Sequence, residues 1–308
     1  MRKVAIIDMG TNTFNLLIAS VNGSSSYEII HSGKLGVKLG EGGINQKVIA
    51  PAAYERGLNA IGEHCKTIQR FGVDSIFAFA TSATRNAANG QQFVADIHKM
   101  HGVTVKIIDG GEESELIYLG IKQAVTLDES NVLMLDIGGG SNEIVIGNKH
   151  ESVWGKSYDL GISRLLQMFN PSNPISASEI VEVEVFIEKE LSDLFQPVSL
   201  YKPKTIIGSS GSFDTYRSIL SANGIIKANG EPSIVMPLKE YFALHNLLIS
   251  STKDERNAIP GMDSMRVEMI VLATIFTNYL VQKFDIETMI QSSYALKEGA
   301  VWKMLNGN

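Results

Sequence analysis

The strongest constraint in this sequence is an internal repeat. Ile7-Asp8-Met9-Gly10-Thr11-Asn12-Thr13-Phe14-Asn15-Leu16-Leu17-Ile18 lines up without gaps on Leu135-Asp136-Ile137-Gly138-Gly139-Gly140-Ser141-Asn142-Glu143-Ile144-Val145-Ile146. Each copy reads as a hydrophobic strand ending in Asp, a turn of glycine and small polar residues, and a second hydrophobic strand. Val4 to Ile7 and Val132 to Leu135 are unbroken apolar runs, as expected of strands covered on both faces. The segments downstream of the two copies also correspond. After the first come a strand-like stretch at Tyr27 to His31, a helical stretch at Ala50 to Arg70, and a strand at Ser75 to Ala80 that runs into Thr81-Ser82-Ala83-Thr84-Arg85. After the second come Glu151 to Trp154, a helical stretch at Ser176 to Phe195, and a strand at Thr205 to Ile207 that runs into Gly208-Ser209-Ser210-Gly211-Ser212. Ser176 and Glu179 have capping-box spacing at the start of that helical stretch. The pattern predicts an α/β protein made of two similar mixed-sheet domains facing each other. The first domain is expected to end near Thr126. A C-terminal helix, Ser293 to Leu305, is free to pack on either domain.

Composition narrows the function. A chain of 308 residues suits two domains, and 44% apolar residues can fill two cores. The formal net charge of −6 argues against the broad basic face of a nucleic-acid coat, yet leaves room for a local basic strip around a polyanion. The lone Cys65 excludes an internal disulfide and a cysteine-rich zinc site, and the six histidines form no ligand pattern. Asp8 interrupts the N-terminal apolar run too early for a secretory signal. The apolar stretch Met269 to Gln282 is too short for a membrane span and fits a buried helix. The expectation is a cytoplasmic protein with neither a membrane nor a nucleic acid as partner.

The turns carry the chemistry. Gly10, Thr11, Asn12 and Thr13, and Gly138, Gly139, Gly140 and Ser141, can point backbone N–H groups into a shared cleft, where such arrays bind phosphate oxygens. Asp8 and Asp136 begin these turns, and carboxylates together with phosphates are the usual way to hold Mg²⁺. Either turn alone reads as readily as a plain hairpin capped by its Asp; the matched pair favours phosphate. Gly110-Gly111-Glu112-Glu113-Ser114-Glu115 puts three carboxylates at a strand-to-helix junction, more than complementing a helix dipole requires, so Glu113 is a catalytic candidate. Glu143, one step into the second strand of its hairpin, either faces solvent or points into the cleft. Gly208-Ser209-Ser210-Gly211 has the composition of a phosphate- or nucleotide-binding turn. The chain contains no P-loop pattern and no nucleophile elbow.

In order and spacing, Asp8 to Phe14, Gly110 to Glu113 and Asp136 to Glu143 resemble the exopolyphosphatase / guanosine pentaphosphate phosphatase family. Gly208 to Gly211, the Ile259-Pro260-Gly261-Met262 turn with Arg266, and Tyr294 to Gly299 are similar to it as well. The resemblance implies the fold of the actin, sugar-kinase and heat-shock-chaperone superfamily. That means two ribonuclease-H-like domains, 1–126 and 127–292, an active-site cleft between them, and a C-terminal helix within 293–308 that returns to the first domain. It implies Glu113 as general base, with Glu143 supporting the attacking water or the metal. Asp8, Asp136 and Glu143 become a Mg²⁺ site, and the two glycine turns become phosphate cradles, joined by Gly208, Ser209 and Gly211. Arg85 and Arg266 become contacts to substrate phosphates; by themselves they read as solvated surface residues. The implied reaction is metal-dependent hydrolysis of the terminal phosphate of inorganic polyphosphate. The alternatives are hydrolysis of guanosine pentaphosphate, or a small-molecule kinase with an adenosine site near Gly208 to Gly211. Relatives suggest a homodimer. Longer relatives carry a further helical C-terminal region that has no counterpart here. The family's Arg at the position of Lys38 is replaced by a charge without bidentate geometry.

Overall fold

The computed structural model describes residues 2–22, 26–227 and 229–306. Residues 1, 23–25, 228, 307 and 308, which fall inside the expected domain ranges, lie outside the described residues. The first sheet contains β1 (Arg2–Met9), β2 (Thr13–Asn22), β3 (Ser26–Gly36), β4 (Ser75–Ala80) and β5 (Val105–Ile107), in the order β3-β2-β1-β4-β5. The second contains β6 (Val132–Ile137), β7 (Asn142–Gly147), β8 (Ser152–Tyr158), β9 (Thr205–Ser209), β10 (Ser233–Met236) and β11 (Thr288–Ser292), in the order β10-β11-β9-β6-β7-β8. From β8 inward, the second sheet repeats the first: an antiparallel meander, then parallel strands beside its first member. This is the ribonuclease-H-like topology, present twice.

Alternation along the strands sorts side chains into three cores. Ala5, Ile7 and Met9 of β1 face an outer core with Ile61 and Phe93 of the helices Pro51–Phe71 and Gly90–His101. Leu133, Leu135 and Ile137 of β6 face the outer core of the second half, covered in part by the buried helix Met269–Lys283. The intervening residues, Val4 and Ile6 of β1 and Val132 and Met134 of β6, share one central core. Two helices fill the space between the sheets. Helix Gly110–Ala124 packs on β6, β7 and β8 of the second sheet, and the C-terminal helix Leu296–Asn306 packs on β1 and β2 of the first. The two helices also pack on each other, so each half of the chain lends a helix to the boundary.

Two details differ from the sequence-based expectation. The stretch Ser176 to Phe195 is not one helix: helix Ala177–Glu190, with its capping box at Ser176 and Glu179, is followed by a 3₁₀ turn at Ser192–Leu194 and helix Phe195–Tyr201. Pro197 accounts for the restart, because a proline is tolerated in the first turn of a helix but not in its interior. Strands β10 and β11 carry no apolar run long enough to announce them, and they extend the second sheet at its edge.

The helix crossing is close enough to involve backbone. A Cβ on Gly299 would overlap the Leu116 carbonyl, and one on Gly120 would overlap the carbonyl of Ala295. Gly299→Ala is therefore expected to cost about 1–3 kcal/mol through overpacking, read as a lower denaturant midpoint. An unchanged midpoint would contradict this packing.

Candidate active site

A cleft of about 960 Å³, partly open to solvent, lies where β1, β4, β6 and β9 leave their sheets. The two repeated turns form its floor. Gly10 N–H donates to the Thr13 carbonyl at 3.1 Å, and Gly138 N–H donates to the Ser141 carbonyl at 3.1 Å, so both copies close in the same way. Their other carbonyls are drawn away from the cleft. Thr11 O accepts from Gly40 N–H at 3.3 Å, and Asn12 O accepts from Val37 and Lys38 N–H at 2.8 and 2.9 Å. In the second turn, Gly138 O accepts from Ile162 N–H at 3.0 Å and Gly139 O from Ser163 N–H at 2.9 Å. Gly140 O accepts from Gly161 N–H at 3.4 Å and from Arg164 Nε at 3.2 Å. A trans peptide sets its N–H opposite its carbonyl. The N–H groups of Asn12, Thr13, Gly139, Gly140 and Ser141 therefore turn towards the cleft that these residues line. The turns nearly touch: a Cβ on Gly140 would lie 2.5 Å from Thr11 Oγ1 and 2.7 Å from Ser82 Oγ.

Sheet register aims the charged groups. In the first sheet Asp8 pairs with Asn15, which pairs with Lys34. In the second, Asp136 pairs with Glu143, which pairs with Ser157. Residues opposite one another across antiparallel strands share a face, so each row crosses its sheet on one side. Asn15 Nδ2 donates to Asp8 Oδ2 at 2.9 Å. Ser157 Oγ donates to Glu143 Oε1 at 2.6 Å. Asp136 accepts from Ser209 Oγ at 2.8 Å and from Ser210 Oγ at 2.7 Å. Ser210 holds φ of +68°, a left-handed conformation that is costly for a serine and of the kind stored at functional sites.

Glu113 enters from the first turn of helix Gly110–Ala124, whose start is fixed by Asp109 accepting from Glu112 N–H at 2.8 Å. Arg85 Nη1 donates to Glu113 Oε2 at 2.7 Å and to the Ile108 carbonyl at 3.1 Å. Burial pushes the Glu113 carboxyl up to about 7, against the pull of Arg85. Glu143 lies well above the ordinary carboxylate range, first from burial and then from the charges of Glu113 and Asp136. Asp136 is raised by burial, opposed by its two serines. Asp8 is raised by burial to about 6, opposed by Asn15 and Lys297.

Of the residues expected at the site, Asp8, Gly10, Thr11, Asn12, Thr13 and Glu113 line the cleft from the first half of the chain. From the second half come Asp136, Gly138, Gly139, Gly140, Ser141, Glu143, Gly211 and Arg266. Gly211 is needed for Arg266, because a Cβ there would overlap the guanidinium. Arg266 is 9% exposed, and its guanidinium meets no hydrogen-bond acceptor among the described residues. Three expected residues stand elsewhere. Arg85 sits behind Glu113 as its ion-pair partner. Ser209 is fully buried and holds Asp136. Gly208 makes room for the Phe213 ring. Sequence reasoning gave no role to Lys297, whose Nζ lies 3.0 Å from Glu298 Oε1. Burial works to lower the Lys297 pKa, but Glu298, Asp8 and Asp214 together raise it. It lies inside the Tyr294 to Gly299 segment, so a signal was present. Lys34, Ser157 and Asn15 become visible only by stepping across the strands.

The cleft lining holds five carboxylates, Asp8, Glu113, Asp136, Glu143 and Asp214, against three cations, Lys34, Arg266 and Lys297. An oxygen-only donor set with excess negative charge fits a hard divalent cation. Among the described residues no three acidic, histidine or cysteine side chains converge as a metal cage.

Twin turns with N–H groups directed into a shared cleft, on a duplicated ribonuclease-H-like fold with acids between them, match the class of enzymes that handle phosphate groups. The family model for the Ppx/GppA phosphatase family matches residues 17–307, and the chain belongs to that family. It is thus a hydrolase of phosphoanhydride bonds with the actin-like ATPase fold. The chain is 26% identical over 310 residues to exopolyphosphatase 1 of Mycobacterium leprae, covering 99% of this chain and 90% of the relative. It is 25% identical over 305 residues to a putative exopolyphosphatase of Haemophilus influenzae, covering 99% and 92%. The crystal structure of an exopolyphosphatase from Cytophaga hutchinsonii superposes with a TM-score of 0.95 at 33% identity, covering 99% of this chain and 98% of that one. No helix among the described residues is long and apolar enough to cross a membrane.

The raised Asp8 pKa has a consequence for stability. An acid whose pKa rises on folding, here from 3.8 to about 6, contributes nothing adverse below pH 3.8 and destabilises increasingly as pH rises through about 6. The full penalty is at most about 3 kcal/mol, less in practice because part of the carboxylate meets the open cleft. In chelator, Asp8→Asn should raise the melting temperature at pH 8 and leave it unchanged near pH 3.5. Equal effects at both pH values would contradict the assignment.

Proposed function

We propose that this enzyme removes the terminal phosphate of inorganic polyphosphate by attack of water. The observation that carries the reading is the facing pair of backbone N–H arrays, with the unpartnered Arg266 beside them and Glu113 and Glu143 on one wall. Such a site favours several consecutive phosphates over a single one, and the relatives named as exopolyphosphatases support the same substrate. The N–H groups of the two turns would take non-bridging oxygens of the terminal phosphate, holding it in line for attack. Glu113, ionised and oriented by Arg85, would accept the proton of the attacking water at its free Oε1, while Glu143, held by Ser157, orients that water. The phosphorus–oxygen bond to the next phosphate breaks, and the shortened chain leaves with the bridging oxygen. Asp8 and Asp136, with Glu143 nearby, would hold Mg²⁺. When bound it would neutralise charge on the transferring phosphoryl group.

A second reading has a specific observation in its favour. An apolar pocket of about 560 Å³ opens beside Arg266, walled by Val37, Met265 and Met269. It is suited to a flat base attached to a phosphate chain, as in guanosine pentaphosphate. Phosphate release from long polyphosphate, tripolyphosphate, guanosine pentaphosphate and ATP, each with Mg²⁺ or excess chelator, decides between the two. We expect polyphosphate to give the highest kcat/KM, and chelator to abolish turnover. Preference for guanosine pentaphosphate would overturn the first reading, and full activity in chelator would overturn the metal.

The acid pair generates two more expected outcomes. Glu113→Gln should lower kcat by ~10²–10⁴-fold with KM little changed; near-normal turnover in the folded variant would remove Glu113 from this role. In the wild type kcat/KM should fall as pH drops below about 7, where Glu113 takes up a proton. Arg85→Ala should move that limb to higher pH, since Arg85 favours the ionised form. A limb that stays in place would show that Glu113 does not set it.

A further inference from the structure

The two rows of paired side chains match at Asp8 and Asp136 but diverge two strands out. Where β8 places Ser157 to hold Glu143, β3 places Lys34. Lys34 lines the catalytic cleft, and its Nζ lies 3.0 Å from Asp263 Oδ2 of the second half, so the contact spans the mouth of the cleft. Asp263 also feels Arg266, which comes three residues later and donates its backbone N–H to the Asp263 carbonyl at 2.8 Å. Asp263 thus pairs through its carboxylate with the cleft cation of the first half, and its backbone carbonyl anchors the segment that carries the cleft cation of the second. The Lys34 side chain is 54% exposed and that of Asp263 25%. An ion pair this open contributes about 0–1 kcal/mol, so another anion can displace it at little cost.

We propose that Lys34 and Arg266 form a phosphate subsite divided between the two halves of the chain, and that Asp263 holds the Lys34 ammonium with its carboxylate until substrate arrives. The proposal rests on the reading that the cleft takes a phosphoanhydride chain. Strands lie about 4.8 Å apart, which puts Lys34 on β3 roughly 10 Å across the sheet from Asp8 on β1. The subsite therefore meets a phosphate remote from the reacting one, and serves only substrates long enough to reach it. Its occupant is a phosphate oxygen carrying a negative charge, which Lys34 binds as a point charge and Arg266 through its planar fork.

The test separates a subsite from a brace. In Lys34→Ala a substrate contact is lost. In Asp263→Asn a competing anion is lost and the cation is released. KM for long polyphosphate should rise ~10-fold in Lys34→Ala, the scale of one lost charge-assisted hydrogen bond. It should fall by a few fold in Asp263→Asn, and pyrophosphate should respond to neither. If the pair merely braces the two halves, both variants shift KM in the same direction, and that result, or no change in either, would overturn the proposal. Titration calorimetry with tripolyphosphate reads the same two variants without turnover. A wild type that binds tripolyphosphate but does not hydrolyse polyphosphate would sink the substrate reading, and opposite signs in the calorimetry would still support the subsite.

Discussion

The cleft depends on where two short turns send their carbonyls. Each turn comes after a buried strand, and its peptide oxygens are taken by backbone N–H groups of a later segment, residues 37–40 in one half and 161–164 in the other. With the oxygens anchored, the N–H groups point into the cleft. Backbone supplies both sides of most of this tether, and the Arg164 guanidinium adds a side-chain donor to the Gly140 carbonyl. The same device occurs twice, and the two turns approach until Gly140 has no space for a methyl beside Thr11 and Ser82. A phosphate placed between them would meet donors from both directions, already oriented.

Around this floor the duplication is broken. Both sheets start their row with Asp, but the first continues through Asn15 to Lys34 and the second through Glu143 to Ser157. The second half therefore carries the additional acid and the first half the additional cation. Burying Glu113, Glu143 and Asp136 together raises all three carboxyls, mainly through desolvation. Such a cluster is costly to bury, and it supplies carboxyls with raised proton affinity and a concentration of negative charge that a divalent cation would relieve. Arg85 tempers one member of the cluster from behind, which leaves the cleft side of Glu113 free.

Much of this was legible in the sequence because the repeat is gapless and its strands are continuous apolar runs. Asp8, Asp136 and the glycine turns announced themselves by matching. Glu143 was visible because its counterpart is Asn15. The parts that stayed hidden did so for physical reasons. The tethering segments act through backbone N–H groups, which leave no residue signature. Lys34 enters the cleft by strand register, which depends on a bulge between Ile18 and Ala19 that no composition reveals. Arg85 sits after a small-residue turn like those that bind phosphate, and only packing shows that Glu113 is its partner. Gly208 looked like part of a phosphate turn, whereas the Phe213 ring is what requires it. Strand β10 at the sheet edge and its neighbour β11 are too short to stand out from the segments around them.

The central claim is that water, activated between Glu113 and Glu143, attacks the terminal phosphorus of a chain gripped by both turns. Hydrolysis of polyphosphate in ¹⁸O-labelled water, with mass spectrometry of the products, tests it most directly. The account predicts a single ¹⁸O in each orthophosphate released and none in the shortened chain. Label on the end of the shortened chain, with unlabelled orthophosphate from the first turnover, would place the attack on the other phosphorus and contradict it.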